Sequence, residues 1–174
     1  EVMQDLRLNT LTMQMEHGSR TSPTILQGND LELFSTKLAV EKQIYIPENR
    51  IKNAIRYAAQ VNQYCPIRRY LTEVSFSAKP YEHWDNLGEV LLGTDLKLAT
   101  TALQRFFIGA VARAMNPGCN MSWIPILIGK QGCGKSQLIR ELVPEELFAE
   151  LTSSLDILMK EQYRLHVAWV LELP

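Results

Sequence analysis

Eight consecutive residues, Gly129-Lys130-Gln131-Gly132-Cys133-Gly134-Lys135-Ser136, match the pattern G-x-x-x-x-G-K-[ST]. The three glycines let the backbone take positive φ values and approach a ligand without a Cβ in the way. The inward-pointing amide N–H groups, together with the N-terminus of a following helix, attract phosphate oxygens. The pattern therefore predicts a phosphate-binding loop.

The loop also predicts the cofactors. Lys135 is expected to reach the β- and γ-phosphates of a nucleoside triphosphate, and the Ser136 hydroxyl is expected to bind Mg²⁺. ATP and Mg²⁺ are therefore the predicted cofactors. The predicted cofactor-binding residues are Gly129, Lys130, Gln131, Gly132, Cys133, Gly134, Lys135, Ser136 and Gln137.

The flanking sequence favours a functional loop over a chance match. An apolar run, Ile124 to Ile128, precedes it, and residues 137–142 follow it with helical character before Pro144. Because proline cannot donate a hydrogen bond within a central strand, we expect the regular strand to begin after Pro125, at about Ile126. Strand, loop and helix in this order are the context that such a motif requires.

An acidic residue ends a later hydrophobic run. Glu172 follows the predicted strand His166–Leu171. Nucleoside triphosphatases place an acid at such a strand end to hold Mg²⁺ or to orient the attacking water. The predicted catalytic residues are therefore Lys135 and Glu172, and the predicted metal ligands are Ser136 and Glu172. The alternative is an ordinary charged residue where a strand reaches the surface.

Composition places the chain among ordinary globular proteins. Of its 174 residues, 46% are apolar and 21% are charged. No apolar run approaches the roughly 18 residues that a membrane span needs, and no signal peptide is recognisable. Three scattered cysteines support neither a zinc site nor a disulfide framework. We expect a cytoplasmic protein without membrane contact and, because the chain opens on Glu1 and stops directly after a hydrophobic run, a piece of a longer one.

Charge is unevenly distributed along the chain. The segment Leu96–Arg140 contains no Asp or Glu but six bases, which suits a polyanion. A nucleoside triphosphate alone would account for this charge, so DNA contact is compatible with it but not required. Three earlier bases, Arg50, Lys52 and Arg56, favour a solvated helix face over a DNA-contacting one.

The first 65 residues are predicted to form an accessory domain. Loosely alternating apolar residues over 6–28 predict a β-hairpin, with Leu6, Leu8, Leu11, Met13 and Met15 on its apolar side. Asn29 and Glu32 form a capping-box pattern that opens a helix through about Lys42. A second helix is predicted over 47–62, beginning at a proline. Its buried stripe is predicted to consist of Ile51, Ala54, Ile55, Ala58 and Val61.

The remaining sequence predicts a connector and a partial ATPase domain. Residues 66–95 contain several aromatic side chains and are predicted to form an irregular connector. Residues 96–174 are predicted to form the partial ATPase domain. A helix capped by Thr94 or Asp95 runs to Met115, and its wide apolar face predicts burial against a sheet. A strand over 147–152 and a helix from Ser153 or Ser154 toward Glu161 precede the strand of Glu172. Alternation of strands with helices predicts an α/β fold with a parallel sheet.

Several segments together resemble the virulence-associated E family of phage and mobile-element proteins. They are Cys65–Leu71, Leu91–Asp95, Ala112–Cys119, the phosphate loop and Trp169–Leu173. That family is similar to the third helicase superfamily of AAA-like ATPases, which replicate DNA as rings. The resemblance implies a replication-associated, helicase-like P-loop ATPase with DNA as partner and a homo-oligomeric ring. It also implies that this chain holds the first half of an AAA-like core.

Two departures from the family pattern affect what the resemblance implies. The family's Trp-Asp-Gly segment continues here as Trp84-Asp85-Asn86. The second acid, the sensor strand and the arginine finger would lie beyond Pro174, so this chain would bind nucleotide but hydrolyse it poorly. Two alternatives remain open: a small-molecule phosphotransferase resembling nucleoside kinases, and a non-catalytic DNA-binding or interaction module with a regulatory nucleotide site.

Overall fold

A computed structural model describes residues 5–19, 22–151 and 168–173. The chain combines helices with two small sheets and divides into two compact units, Glu1–Pro66 and Ile67–Pro174. The mixed α/β character predicted from the sequence is therefore confirmed. No helix in the described ranges has the length and apolar character needed to cross a membrane.

The first unit opens with a three-stranded antiparallel sheet. Strands β1 (Arg7–Asn9), β2 (Gln14–His17) and β3 (Thr24–Ile25) lie in that order, with Leu8 opposite Met15. The predicted hairpin is confirmed and gains a third strand.

Both faces of this sheet are covered. Leu6, Leu8 and Met15 face the apolar core, as the alternation predicts. On the opposite face, Arg7 and Glu16 are buried together with Asn9. Because period-two alternation reports only the apolar face, the sequence pattern missed this buried polar face. Met13, predicted to belong to the apolar side, lies exposed in the turn with φ of +58°.

Helix α1 spans Gly28–Glu41 and begins earlier than predicted. Its N-cap is Gln27, whose backbone N–H donates to the Asp30 carboxylate at 2.7 Å. The expected cap at Asn29 with Glu32 is therefore wrong by two residues. Asp30 occupies the third helical position relative to Gln27, from which a carboxylate can bond back to the cap.

Helix α2 spans Glu48–Val61 and buries one face in the core of this unit. Its buried residues are Ile51, Ile55 and Ala59, spaced four apart. The core cluster consists of Leu6, Leu31, Ile51, Ile55 and Ala59. Ala54 and Val61, predicted to be buried, are exposed because the four-residue spacing rotates the contact face away from them.

The second unit is mainly helical. Its helices are α3 (Pro66–Ser77), α4 (Leu87–Leu92), α5 (Lys97–Met115) and α6 (Lys135–Glu141), with short 3₁₀ turns at Trp84–Asn86 and Glu145–Leu147. Strands β4 (Phe148–Glu150) and β5 (Val170–Glu172) pair in parallel.

The prediction that residues 66–95 are irregular is wrong in two places, because this segment contains α3 and α4. Pro66 starts α3, since a first-turn proline needs no N–H partner. Gly93, in the left-handed conformation at φ of +65°, ends α4. The expected cap of α5 at Thr94 or Asp95 is also wrong, since the N-cap residue is Leu96.

Helix α5 buries a narrower face than its sequence predicts. Leu103 and Ala114 are buried, whereas Leu96 and Val111 are exposed. The neighbour in closest contact is α4: the Gly88 backbone N–H donates to the Thr100 hydroxyl at 2.9 Å. Helix-on-helix packing therefore accounts for part of the face that was assigned to a sheet.

The strand predicted before the phosphate loop does not form. Residues 119–130 have no regular secondary structure, and Ile126 is 82% exposed. A strand requires a hydrogen-bonding partner, and this segment pairs with no other described strand. The predicted helix from Ser153 or Ser154 toward Glu161 lies outside the described residues, as do the first residues of the strand predicted from His166.

Candidate functional site

The phosphate loop has the backbone geometry that its glycines predict at two of three positions. Gly132 and Gly134 have φ of +79° and +87°, values that side chains rarely tolerate. The positive φ expected at Gly129 is wrong, and the space beside this residue is limited by side chains of the loop. A Cβ there would lie 3.0 Å from the Cys133 sulfur and 3.8 Å from the Lys135 Cδ.

Lys135 folds back over this loop. Its ammonium nitrogen donates to the carbonyl oxygens of Gly129 and Lys130, each at 3.0 Å, and lies 3.7 Å from the Cys133 sulfur. The positive charge is therefore held at the mouth of the loop by neutral acceptors. Phosphate oxygens carry negative charge and would add a Coulombic attraction to the ammonium that carbonyl oxygens lack, so they would compete well for these donors.

Helix α6 begins directly at the end of the loop. Lys135 is its first residue, and the Leu138 N–H donates to the Gly134 carbonyl at 2.8 Å. Ser136 and Gln137 are exposed in the first turn, and Lys130 and Gln131 are exposed in the loop itself. The predicted loop-to-helix transition is confirmed, so eight of the predicted site residues form one continuous exposed surface around Lys135.

Glu172 is the last residue of β5, as the sequence predicts. Its backbone carbonyl accepts a hydrogen bond from the Leu151 N–H at 2.9 Å. One carboxylate oxygen, Oε2, is buried and has no hydrogen-bond partner among the described residues. Buried polar atoms are nearly always paired, so this oxygen has an acceptor capacity that the described protein groups do not use.

Two residues that the sequence analysis did not single out connect Glu172 with helix α6. Glu150 lies beside Glu172 in the register of the parallel strands, which puts both side chains on one sheet face. The Arg140 guanidinium donates to the Glu150 carboxylate at 3.2 Å and lies 5.5 Å from the Phe148 ring centroid. Glu150, like Glu172, is an acid at the end of a short strand, and this shared pattern could have identified Glu150 from the sequence.

Trp169 fixes the start of β5. Its indole N–H donates to the Ala110 carbonyl of α5 at 3.2 Å, and its ring meets the edge of Tyr70 at 6.2 Å between centroids. Arg68 of α3 donates to the Ala114 carbonyl at 2.8 Å and so caps the end of α5. These contacts tie α3, α5 and β5 together and set where Glu172 lies within the second unit.

A separate polar cleft of about 370 Å³ contains none of the predicted site residues. It lies between α4 and the first turns of α5, and its lining includes Asp85, Glu89, Asp95 and Lys97. The glycine loop is the stronger candidate site because it presents oriented backbone groups and a cation, whereas the charged residues of this cleft are three acids and one lysine, and carboxylates repel phosphate.

Comparison with known proteins gives one family. A family model for the virulence-associated protein E-like domain matches residues 74–174, more than half of the chain. The match includes every segment of the predicted resemblance except Cys65–Leu71. A search of curated proteins found no match. This chain, with its exposed glycine loop and its acid at the end of β5, belongs to the virulence-associated protein E-like family.

Proposed function

We propose that this protein binds Mg²⁺-ATP at the loop 129–136. In this proposal it is the ATP-binding part of a replication-associated, helicase-like P-loop ATPase of phage or mobile-element type. The observation that carries the proposal is the Lys135 ammonium, held over a loop in which Gly132 and Gly134 take positive φ. Membership in the virulence-associated protein E-like family supports the association with phages and mobile elements.

The loop residues have distinct roles in this proposal. Lys135 exchanges its two carbonyl partners for β- and γ-phosphate oxygens and stabilises the charge that develops on them during hydrolysis. The Ser136 hydroxyl, exposed in the first turn of α6, holds the metal ion. Magnesium, when bound, neutralises negative charge on the triphosphate.

Glu172 supplies the acid. Its unpaired, buried Oε2 atom is suited to accept a hydrogen bond from the attacking water or from water on the metal. The loop and Glu172 share no hydrogen bond or ion pair within the described ranges. They are linked indirectly: Arg140 of α6 donates to Glu150, and Glu150 lies beside Glu172 in the register of the strands. Bound nucleotide and metal would join the two halves of this site.

DNA and further copies of the protein are the proposed macromolecular partners. The acid-free segment Leu96–Arg140, which includes the loop, supports contact with a polyanion. A ring of subunits follows from the likeness of the family to helicases rather than from a contact within this chain. Stimulation of ATP hydrolysis by DNA would distinguish this function from a nucleoside-kinase-like one, which requires a small acceptor.

Substitution of the loop lysine tests the proposal. We expect Lys135→Ala to weaken Mg²⁺-ATP binding about 100-fold or more in a calorimetric titration, because two charge-assisted hydrogen bonds are lost. The matched control is Lys79→Ala, since Lys79 is an exposed lysine of the same unit that lies outside the loop. Equal affinity of the Lys135→Ala variant and the wild type would refute the site.

A further inference from the structure

The outward side of helix α2 carries a stripe of exposed polar and aromatic residues. With Ile51, Ile55 and Ala59 buried, the opposite side of the helix faces solvent. We define the α2 outer surface as the six residues Asn49, Arg50, Asn53, Arg56, Tyr57 and Gln60, all of which are exposed. At 100° per residue these six fall within about one third of the helix circumference.

The charge of this surface is entirely positive. Glu48 is the sole acid of α2, and it pairs with Lys52 one turn along the helix. Neither Arg50 nor Arg56 forms an ion pair within the described part of the chain. Residues 1–66 contain seven acids and seven bases, so the unit is neutral and the positive charge at this surface is local.

The other side chains of the surface extend its chemistry beyond charge. Tyr57 is 69% exposed and follows Arg56 in the sequence. Its aromatic ring offers a large face for stacking or apolar contact. Asn49, Asn53 and Gln60 carry amides, which both donate and accept hydrogen bonds. A surface that served only solubility would ordinarily mix both signs of charge.

The surface is held rigidly on the sheet of its own unit. The Asn62 side chain donates to the Leu6 carbonyl at 3.2 Å, directly after the last turn of α2. Tyr64 exchanges backbone hydrogen bonds of 2.9 Å with Leu8 and Thr10 of the hairpin. These hydrogen bonds fix the residues after α2 to β1 and to the residues on either side of it.

We propose that the α2 outer surface binds duplex DNA through the major groove. Arginine, asparagine and glutamine are the side chains that contact phosphates and base edges there, and the groove is wide enough for one helix. Fourteen residues give a helix about 21 Å long, which spans several base pairs. The interpretation as a solvated face, favoured from sequence alone, does not account for the lack of acids along the stripe.

This surface lies in the first unit and does not depend on the nucleotide site. The test uses the full chain without nucleotide and a fluorescein-labelled mixed-sequence duplex of about 25 base pairs, followed by fluorescence anisotropy over a range of salt concentrations. We expect Arg50→Ala/Arg56→Ala to weaken binding at least about tenfold at low salt. The slope of log Kd against log salt should fall by about 1.8, since each phosphate contact contributes about 0.9.

The matched control removes two exposed lysines from another part of the same unit. Lys37→Ala/Lys42→Ala deletes the same charge from α1 and the residue after it. We expect this variant to bind DNA within about threefold of the wild type. Tyr57→Ala should weaken binding while leaving the salt slope unchanged, because it removes a contact without a charge.

Three results would overturn the proposal. The first is no binding by the wild type, and the second is equal weakening by the two double variants, which would indicate charge alone. The third is tighter binding of single-stranded DNA or of RNA than of the duplex. DNA binding is measured without nucleotide and Mg²⁺-ATP binding is measured without DNA, so failure of the nucleotide site and failure of this surface are distinguishable. All substituted side chains are exposed, and a thermal melt verifies folding.

Discussion

At the residue scale, the loop combines features that a motif specifies with one that it does not. The glycine positions and the lysine follow from the pattern, and the positive φ values of Gly132 and Gly134 agree with it. The role of Gly129 differs, because its missing Cβ leaves room for the Cys133 sulfur rather than for an unusual backbone angle. A sequence pattern records that glycine is present, but only packing distinguishes the two reasons for it.

The acid at the end of β5 permits a test that separates binding from chemistry. In a protein that also carries the second acid, the sensor strand and the arginine finger, we expect Glu172→Gln to lower the rate of ATP hydrolysis about 100-fold, since an amide cannot act as a base toward water. Mg²⁺-ATP affinity should stay within about threefold of the wild type. Single-turnover phosphate release and a calorimetric titration measure the two quantities. Glu150→Gln is the control for loss of a carboxylate on the same sheet face, and equal rates for the wild type and Glu172→Gln would remove Glu172 from the mechanism.

At the element scale, the hairpin and the end of α2 are joined by a buried polar network around Glu16. Its carboxylate accepts hydrogen bonds from the Asn9 amide at 2.8 Å and the Tyr64 hydroxyl at 2.7 Å. The Arg7 guanidinium approaches it at 3.5 Å and lies over the Tyr64 ring. Burial raises the pKa of the Tyr64 hydroxyl above its ordinary value of 10.0, and the hydrogen bond to Glu16 adds to this effect.

The contribution of this network to the stability of the first unit decreases at alkaline pH. The Tyr64 pKa is higher in the folded state, so its contribution is complete below pH 10 and is lost as pH rises through the folded-state pKa. We expect Tyr64→Phe to lower the free energy of unfolding by about 1.5 to 3 kcal/mol at pH 8. The difference from the wild type should shrink above pH 10.

Urea unfolding at pH 8 and at about pH 11 measures this difference. Tyr57→Phe is the control, because that hydroxyl belongs to an exposed side chain. A difference between wild type and Tyr64→Phe that stays constant across both pH values would contradict the assignment.

Local signals predicted some elements and misjudged others for identifiable reasons. The hairpin, α1, α2 and most of α5 follow from apolar periodicity and helix-start chemistry, to within a few residues. Helix α3 lies within the predicted irregular connector 66–95, where Pro66 is the first residue of a helix rather than part of a connector. The strand before the loop was predicted from apolarity alone, whereas strand formation depends on a neighbour that no local pattern specifies.

The candidate site was predictable in its residues more than in its connections. The loop, the helix after it and the acid at the end of β5 all follow from motif and strand pattern. The ion pair of Arg140 with Glu150 and the contact of Trp169 with α5 do not, because they join residues distant in sequence. Contacts of this kind are set by tertiary packing.

At the scale of the whole molecule, each of the two units has its own buried residues. Ile55 belongs to the core of the first unit, and Leu103 is buried in the second, which also contains the phosphate loop. We expect Ile55→Ala to lower the free energy of unfolding of the first unit by about 2–5 kcal/mol. It should leave Mg²⁺-ATP affinity unchanged at a temperature where the variant is folded.

Thermal unfolding and calorimetric titration of the same samples test this independence. Leu103→Ala is the matched control, since it creates a comparable cavity in the unit that holds the loop. An equal loss of ATP affinity in both variants would show that the two units act as one.

The segment before the phosphate loop has a consequence for how the protein behaves in solution. Ile124, Ile126 and Ile128 are all exposed in a segment that has no regular secondary structure and pairs with no described strand. Short runs of β-branched residues without charge are the segments that pair with other chains and seed aggregates. We therefore expect concentrated samples to lose protein through self-association of this segment. The substitution Ile126→Lys should reduce that loss, because a charge in such a segment opposes its pairing with other chains.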